Sequence, residues 1–309
     1  MRRHRSRVQR GFVLIAVLWV LVGLGSLGLM LSLAGRDTVT AARNRLSLAR
    51  AYWLAEGCIQ IVRAVVSDAL LDGARGDVAW RSLDDLVARS PILSDAGCNL
   101  EVRASGATLD VNSVGAEQLR RLLLALHVLP MAADSLVDAL LDWRDTDDSP
   151  RPLGAEREWY IAQHRLAPRN APIADVRELA RVRGYDVLSG LDSVLGTDSG
   201  RVDVGRAPPA VLASLPGFAA ETADRIEELR LRGALPSELS SLAGLLSPSA
   251  RDSLAAHYAE VAPLVTMDPD AWIVRASAHD GDSPAVTTVE VRLVRAGARV
   301  GVSRHRSWP

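Results

Sequence analysis

The sequence predicts an α+β protein: a long N-terminal helix on a small antiparallel sheet, with the sheet interrupted by a large all-α insertion. Three observations carry this. An uncharged run, Phe12 to Gly35, leads into an apolar stripe of helical period. Short alternating segments lie both before and after a long helical block. Inside that block one helix-pair pattern occurs twice. With 309 residues, 48% hydrophobic and 24% charged, the chain can bury one large core or two smaller ones, and disorder is excluded.

Residues 1–11 carry Arg2, Arg3, Arg5, Arg7 and Arg10 and no acid. The uncharged run 12–35 would reach about 36 Å as a helix, longer than the ~30 Å hydrocarbon core of a bilayer. It exceeds the apolar region of a cleaved secretory signal, and no A-x-A site follows. The arginines ahead of it predict a cytoplasmic N-terminus, with the rest of the chain across the membrane. The helix continues, because Leu48, Tyr52, Ala55, Ile59, Val62, Val66 and Leu70 recur at spacings of four and three. Its first break is Asp72-Gly73-Ala74-Arg75-Gly76.

Residues 98–112 alternate around Ser105-Gly106 and predict a hairpin. Helical patterns follow at 117–129, 133–143, 174–183, 221–232, 236–246 and 249–261, with one short extended piece at 200–204. Residues 271–303 return to strand character, with turns at Asp280-Gly281 and Ala296-Gly297. The predicted organisation is a leader at 1–11, a transmembrane segment at 12–35, a spine helix with the first strands at 36–112, an inserted α-domain at 113–258, and C-terminal strands at 259–309.

The repeat runs Leu109-Asp110-Val111-Asn112, helix, Leu129-Pro130, helix, Trp143-Arg144; then Val202-Asp203-Val204, helix, Leu215-Pro216-Gly217, helix, Leu229-Arg230. The second copy resembles a helix-hairpin-helix unit, a fold that often points hairpin N–H groups at a phosphate. Phe218-Ala219 replaces its second glycine, and Glu221 and Asp224 open the next helix, where acids repel a phosphate. No nucleic-acid partner is expected.

All 36 basic residues are arginine, against 37 acids, for a net charge of −1. Without lysine there is no Walker-type phosphate loop, Schiff base or Ser-Lys dyad. The six histidines form no H-E-x-x-H, and no G-x-S-x-G or glycine-rich nucleotide loop is present. Nothing here predicts an enzyme. Two cysteines, Cys58 and Cys98, are too few for a disulfide framework; they either pair or serve as small buried hydrophobes.

One segment, 142–156, concentrates carboxylates. Asp145, Asp147 and Glu156 stand at loop positions 1, 3 and 12, the spacing that wraps oxygens around Ca²⁺ in an EF-hand. Pro150 takes the place of the required glycine, so an irregular site is expected, with Asp142 and Asp148 as further ligands or supporting acceptors. The alternative is a solvated acidic loop paired to Arg144, Arg151 and Arg157.

The junction Arg10-Gly11-Phe12 followed by VLIAVLWVL resembles the type IV pilin class of signal. That resemblance implies cleavage after Gly11 by a prepilin peptidase and methylation of Phe12; an uncleaved signal anchor is the alternative. The fifth mature position of that class is usually Glu, and here it is Ala16. A buried acid in lipid is costly unless a neighbouring subunit matches it, so its absence suits a subunit with nothing ahead of it.

Together with this leader, LDVNS at 109–113, LLDWRDTDDSPRPLGAEREWY at 140–160, APRNAPIADVRELARVRG at 167–184 and VDVGRAPPAVLASLPG at 202–217 resemble the type II secretion minor pseudopilin K family (general secretion pathway protein K). The resemblance implies a pilin-like scaffold with an inserted α-domain. It implies a place at the pseudopilus tip, where the chain nucleates fibre assembly for export of folded proteins across the outer membrane. Implied partners are minor pseudopilins I, J and H, the inner-membrane assembly platform and the prepilin peptidase; calcium is the implied cofactor. Arg157 stands where the family usually has an acid, and Gly205 is the second-repeat counterpart of Asn112. A minor pilin of a type IV pilus or DNA-uptake system is the alternative.

Overall fold

The computed structural model describes residues 8–72, 74–94, 97–198, 200–281 and 284–308. Its first element, α1 (Val8–Leu70), is a single helix of 63 residues, with no proline to interrupt it. Within it the hydroxyls of Ser26 and Thr40 donate to the carbonyls of Gly23 and Arg36, so neither is left unpaired. Among the described residues no helix is long and apolar enough to cross a membrane. The predicted span 12–35 includes residues 12, 13, 31 and 33–35, whose side chains lie outside the description.

The lower half of α1 buries Ala51, Ala55, Cys58, Ile59, Val62, Val66 and Leu70, while Leu48 and Tyr52 are half-buried. Each large aliphatic so covered contributes about 1.5–3 kcal/mol. Three short helices follow, α2 (Ala74–Arg81), α3 (Leu83–Ala88) and α4 (Pro91–Ser94), and supply Trp80, Leu83, Val87 and Leu93 to the same core. A disulfide from Cys58 to Cys98, closing 40 residues, ties α1 to the chain entering the sheet.

The chain then runs through β1 (Asn99–Ala104), β2 (Leu109–Asp110), α5 (Ala116–Ala125), α6 (Pro130–Arg144), α7 (Arg157–Ala162), β3 (Leu195–Gly196) and β4 (Val202–Asp203). It continues through α8 (Pro209–Ala213), α9 (Ala220–Leu231), α10 (Leu239–Leu242), α11 (Pro248–Ala256), α12 (Tyr258–Val261), β5 (Val265–Thr266), β6 (Ala271–His279), β7 (Val286–Ala296) and β8 (Arg299–Trp308). The main sheet has the order β1-β6-β7-β8, every neighbour antiparallel. Its covered face sets Trp272, Val274, Ala276, Val289, Val291 and Leu293 against α1. Trp272 Nε1 donates to Trp80 O at 2.8 Å, and Arg206 lies 4.7 Å over the Trp272 ring.

The strands at both ends of the helical block therefore share one sheet, as the sequence predicts. The predicted hairpin at 98–112 does not form. Ser105 N and Oγ pair with Ala271 O and N, and Gly106 O accepts from Asp203 N, so distant residues take the bonds a hairpin would use. β1 pairs with β6 instead, and β2 pairs in parallel with β3.

A second buried cluster runs from Leu109 to Val265 and shares no residue with the first. The repeat is visible within it. β2 leads to α5 and α6 and closes in parallel on β3; β4 leads to α8 and α9 and closes in parallel on β5.

Two predicted helices are tighter than expected. Segment 174–183 forms a 3₁₀ helix, Val176–Arg181, capped by Asp175, whose side chain accepts from Arg177 N. Leu179 is its buried residue, Val182 leaves the helix in an extended conformation, and Tyr185 opens a second 3₁₀ turn, Tyr185–Val187. Segment 236–246 divides into the single turn α10 and a 3₁₀ turn at Ala243–Leu245.

Candidate metal site

The acidic segment begins at the C-terminal end of α6, where the helix dipole already places partial negative charge. Asp142 is fully buried there, and Asp145 is the residue that caps the helix. Arg144, between them, turns away and donates to the carbonyls of Val111 and Val114. The chain returns through Gly154 and Ala155 to Glu156, which is 4% exposed and precedes α7.

This return brings Asp142, Asp145 and Glu156 together, one carboxylate oxygen of each lying within 4.8 Å of the others. Arg151 serves one side. Its Nη1 is 2.6 Å from both Asp142 Oδ1 and Asp145 Oδ2, and its backbone N donates to Asp142 Oδ2 at 3.1 Å. The other side has no donor: Asp145 Oδ1 and both oxygens of Glu156 are buried without a hydrogen-bond partner. Burial, followed by the charges of Asp142, Asp145 and Asp148, pushes the Glu156 carboxyl up to about 7.

The surroundings fix this loop. A side chain at Gly154 would place its Cβ 1.9 Å from Asp142 Oδ2, so only glycine allows the return strand to lie on that carboxylate. Arg183 Nη1 donates to Gly154 O at 2.8 Å, and Tyr160, edge-on to Trp143 and Trp159, accepts from Arg183 N. Trp143 Nε1 donates to Glu178, itself paired with Arg169.

Of the candidates, the three converging residues are Asp142, Asp145 and Glu156. Asp148 Oδ1 accepts from Asn170 Nδ2 at 2.9 Å, at the rim. Asp147 is exposed, and its Oδ1 accepts from Ser149 N at 2.8 Å, closing a local turn. Asn170, not among the residues singled out in the sequence, also donates to Asp147 O, and its own Oδ1 is buried and unpartnered. It adopts φ 49°, a left-handed conformation Asn tolerates, and its place in the Arg169-Asn170-Ala171-Pro172 turn was the available signal.

These residues fit a hard divalent cation. The donors are all oxygen, and at the 2.3–2.6 Å bonds of Ca²⁺ opposed ligands stand roughly 5 Å apart. A cation on the bare side would meet three oxygens that now repel one another.

Elsewhere, Gly11 and Phe12 fall within α1, with their side chains outside the described residues, as are residues 1–7 altogether. Ala16 lies exposed on α1. In the second repeat, a Cβ at Gly217 would come within 2.9 Å of Ser253 O and His257 Cβ, so α11 covers the hairpin.

Residues 94–189, which include the whole acidic loop, match the family described as type II secretion system (T2SS), protein K. The chain is 39% identical over 71 residues to type II secretion system protein K of Dickeya chrysanthemi, covering 23% of this chain and 19% of that one. It is 29% identical over 197 residues to type II secretion system protein K of Klebsiella pneumoniae, covering 58% and 59%. Both matches thus span less than two thirds of those relatives. The fold resembles that in the crystal structure of the GspK-GspI-GspJ complex from the enterotoxigenic Escherichia coli type 2 secretion system. The TM-score is 0.61 at 16% identity, covering 87% of this chain and 99% of that one.

Proposed function

We propose that this chain, similar to type II secretion system protein K in sequence and fold, is a minor pseudopilin at the tip of a secretion pseudopilus. The observation that carries the reading is the coincidence of the family match at 94–189 with the three-carboxylate loop, within a long-helix scaffold interrupted by an α-domain. The role is structural. In this reading 36–112 and 259–309 form the pilin-like scaffold, and 113–258 is the inserted α-domain, too bulky to repeat in a helical lattice.

The Arg-rich leader directs insertion, a prepilin peptidase cuts after Gly11 and methylates Phe12, and 12–35 anchors the chain in the inner membrane with its bulk in the periplasm. From Leu14 to Met30 the large apolar side chains of α1 are exposed, as lipid-facing residues are. Ala16 leaves this subunit without a carboxylate to offer one ahead of it. Minor pseudopilins I, J and H and the inner-membrane platform are the partners in nucleating a fibre that moves folded cargo through the outer membrane. Calcium would be held by Asp142, Asp145 and Glu156, supplying the positive charge that lets them lie together.

The test is complementation in the source organism. Deletion of the chain should retain the secreted cargo in the periplasm, and the wild-type chain should release it. Loss of surface pili or of DNA uptake with intact secretion would instead favour the pilus or DNA-uptake reading. The covered hairpin at Gly217 and the acids Glu221 and Asp224 oppose that alternative.

A further inference from the structure

The stretch between Gly106 and Asp270 leaves the main sheet and returns to it at one place. Its two ends lie side by side, because Ser105 N and Oγ pair with Ala271 O and N. A Cβ at Gly106 would stand 2.2 Å from Arg201 O, so the exit from β1 is pressed against the chain entering β4. Two adjacent crossings of this kind make a hinge. The buried clusters on its two sides share no residue, and bodies joined through polar contacts move relative to one another by default.

Ion pairs fasten the inserted stretch beyond the hinge. Asp198 pairs with Arg103 at 2.7 Å and with Arg304 at 3.3 Å, both on the sheet. Asp268 pairs with Arg81 at 2.6 Å. Arg206 holds three scaffold residues: its Nη1 donates to Asp84 Oδ2 at 3.0 Å, its Nη2 to Arg81 O at 2.8 Å, and the guanidinium lies over the Trp272 ring. Behind it is a carboxylate that it does not satisfy. Asp203 is 1% exposed; its Oδ1 accepts from Gly205 N, while Oδ2 is buried without a hydrogen bond, 4.0 Å from Arg206 Nε. The other charges facing Asp203 are Asp268, which repels it, and Arg230, committed to the carbonyls of Val204 and Ala207. Arg206 is the cation able to turn toward it.

We propose that the inserted stretch is a hinged body, clasped to the scaffold by Arg206 while Asp203 is neutral, and released when Asp203 ionises and draws Arg206 off Asp84 and Trp272. With Asp203 neutral, the guanidinium belongs to Asp84, Arg81 O and the ring. An ionised Asp203 is a buried charge in need of a partner, and one side-chain turn by Arg206 supplies it at the cost of all three scaffold contacts. The pairs left at Arg81 and Arg103 have about half of each arginine in solvent, where an ion pair holds weakly. Burial keeps the Asp203 carboxyl at about 6 in the clasped form, against an ordinary 3.8, so opening releases a proton between these values. The opened form therefore gains as pH rises toward 6 and levels off above it. The device belongs to the fold and does not depend on the pseudopilin reading.

The experiment is pulsed electron–electron double resonance on the full-length chain in detergent, with spin labels on keto-bearing residues at Ala88 in α3 and Ala234 after α9, both exposed. The ratio of the opened to the clasped distance population should rise about tenfold from pH 5 to pH 8, the change one proton allows between pH 5 and a carboxyl near 6. Asp203→Asn keeps the acceptor for Gly205 N and cannot ionise, so it should hold the pH 5 distribution at pH 8. Arg206→Gln should give the opened distribution already at pH 5, and Asp84→Asn, on the more exposed side of the clasp, should raise the opened share there. Glu156→Gln should leave the shift intact, which separates it from titration in the acidic loop. A single distribution at both pH values, a shift that survives Asp203→Asn, or a shift abolished by Glu156→Gln would overturn the inference.

Discussion

Arg144 and Arg230 do the same work in the two halves of the insertion. Arg144 donates to the carbonyls of Val111 and Val114; Arg230 donates to those of Val204 and Ala207, at 2.6 and 2.7 Å from Nη2. In each case the arginine lies in the last turn of a helix and holds the turn that follows an Asp-Val pair. In those turns Asp110 accepts from Asn112 N and Asp203 from Gly205 N, each two residues on. The repeat thus extends from sequence into hydrogen bonding, and α11 in the second half and the acidic loop in the first are what each copy added.

Arg230→Ala should destabilise the protein by about 3 kcal/mol, because each carbonyl left unpaired in a partly buried site costs about 1–3 kcal/mol. Arg230→Lys should recover less than half of that, since an ammonium cannot span two carbonyls as the planar fork does. Denaturant titration of the detergent-solubilised chain measures both; an unchanged midpoint for Arg230→Ala would refute the role.

Calcium should raise the melting temperature and a chelator should lower it. At a calcium concentration of 100 Kd the stabilisation is roughly 2.7 kcal/mol. Glu156→Ala should remove the calcium response, whereas Glu158→Ala, outside the three-carboxylate group, should keep it. No response in the wild type would leave the loop as an acidic surface paired through Arg151.

The site also predicts a pH dependence. Glu156 is raised to about 7 in the folded chain against an ordinary 4.5, so between these values the folded state binds more protons than the unfolded one. Without cation, stability should fall as pH rises from about 4.5 to 7 and then level off, and calcium should bind more tightly across the same rise. Asp203, raised to about 6 mainly by burial, adds a fall of the same sign that calcium does not touch. Melting at pH 5 and pH 8 with chelator should show the loss. Glu156→Gln should shrink it to the Asp203 share.

Reducing the Cys58–Cys98 bridge, which closes 40 residues, should cost about 3–4 kcal/mol by freeing the unfolded chain. Cys58→Ser with Cys98→Ser should melt earlier than the oxidised wild type and be insensitive to reductant. Identical melting with and without reductant would show that the bond is not formed.

Gly11→Val should leave an uncleaved precursor, while intact-mass analysis of the wild type should find a chain starting at Phe12 with one added methyl. Ala16→Glu should not improve secretion, since it places an unmatched carboxylate in lipid. A mature protein beginning at Met1 would leave only a signal anchor.

Much was legible before the structure because it rests on local periodicity. The stripe from Leu48 to Leu70 specifies which side of α1 meets the sheet, and alternation at 271–303 specifies its strands and turns. The likeness to the secretion protein K family was readable in the acidic block and its neighbours. Only the tertiary structure decided the rest, because those features depend on partners far apart in sequence. Ser105 and Gly106 could not form a hairpin once Ala271 and Asp203 took their hydrogen bonds. Segment 174–183 kept only a short 3₁₀ helix, because Asp175 caps its start through Arg177 N and Val182 leaves it extended to reach the core with Leu179 and Tyr185. Whether Cys58 meets Cys98 depended on where α1 lies against β1. The sequence by itself placed five acids in one segment; the return of the chain through Gly154 chose which three converge, and left Asp145 Oδ1 and both oxygens of Glu156 buried without a donor. Spacing along a chain sets which residues share a helix face or a strand face, but convergence at a point is fixed only when the backbone folds back upon itself.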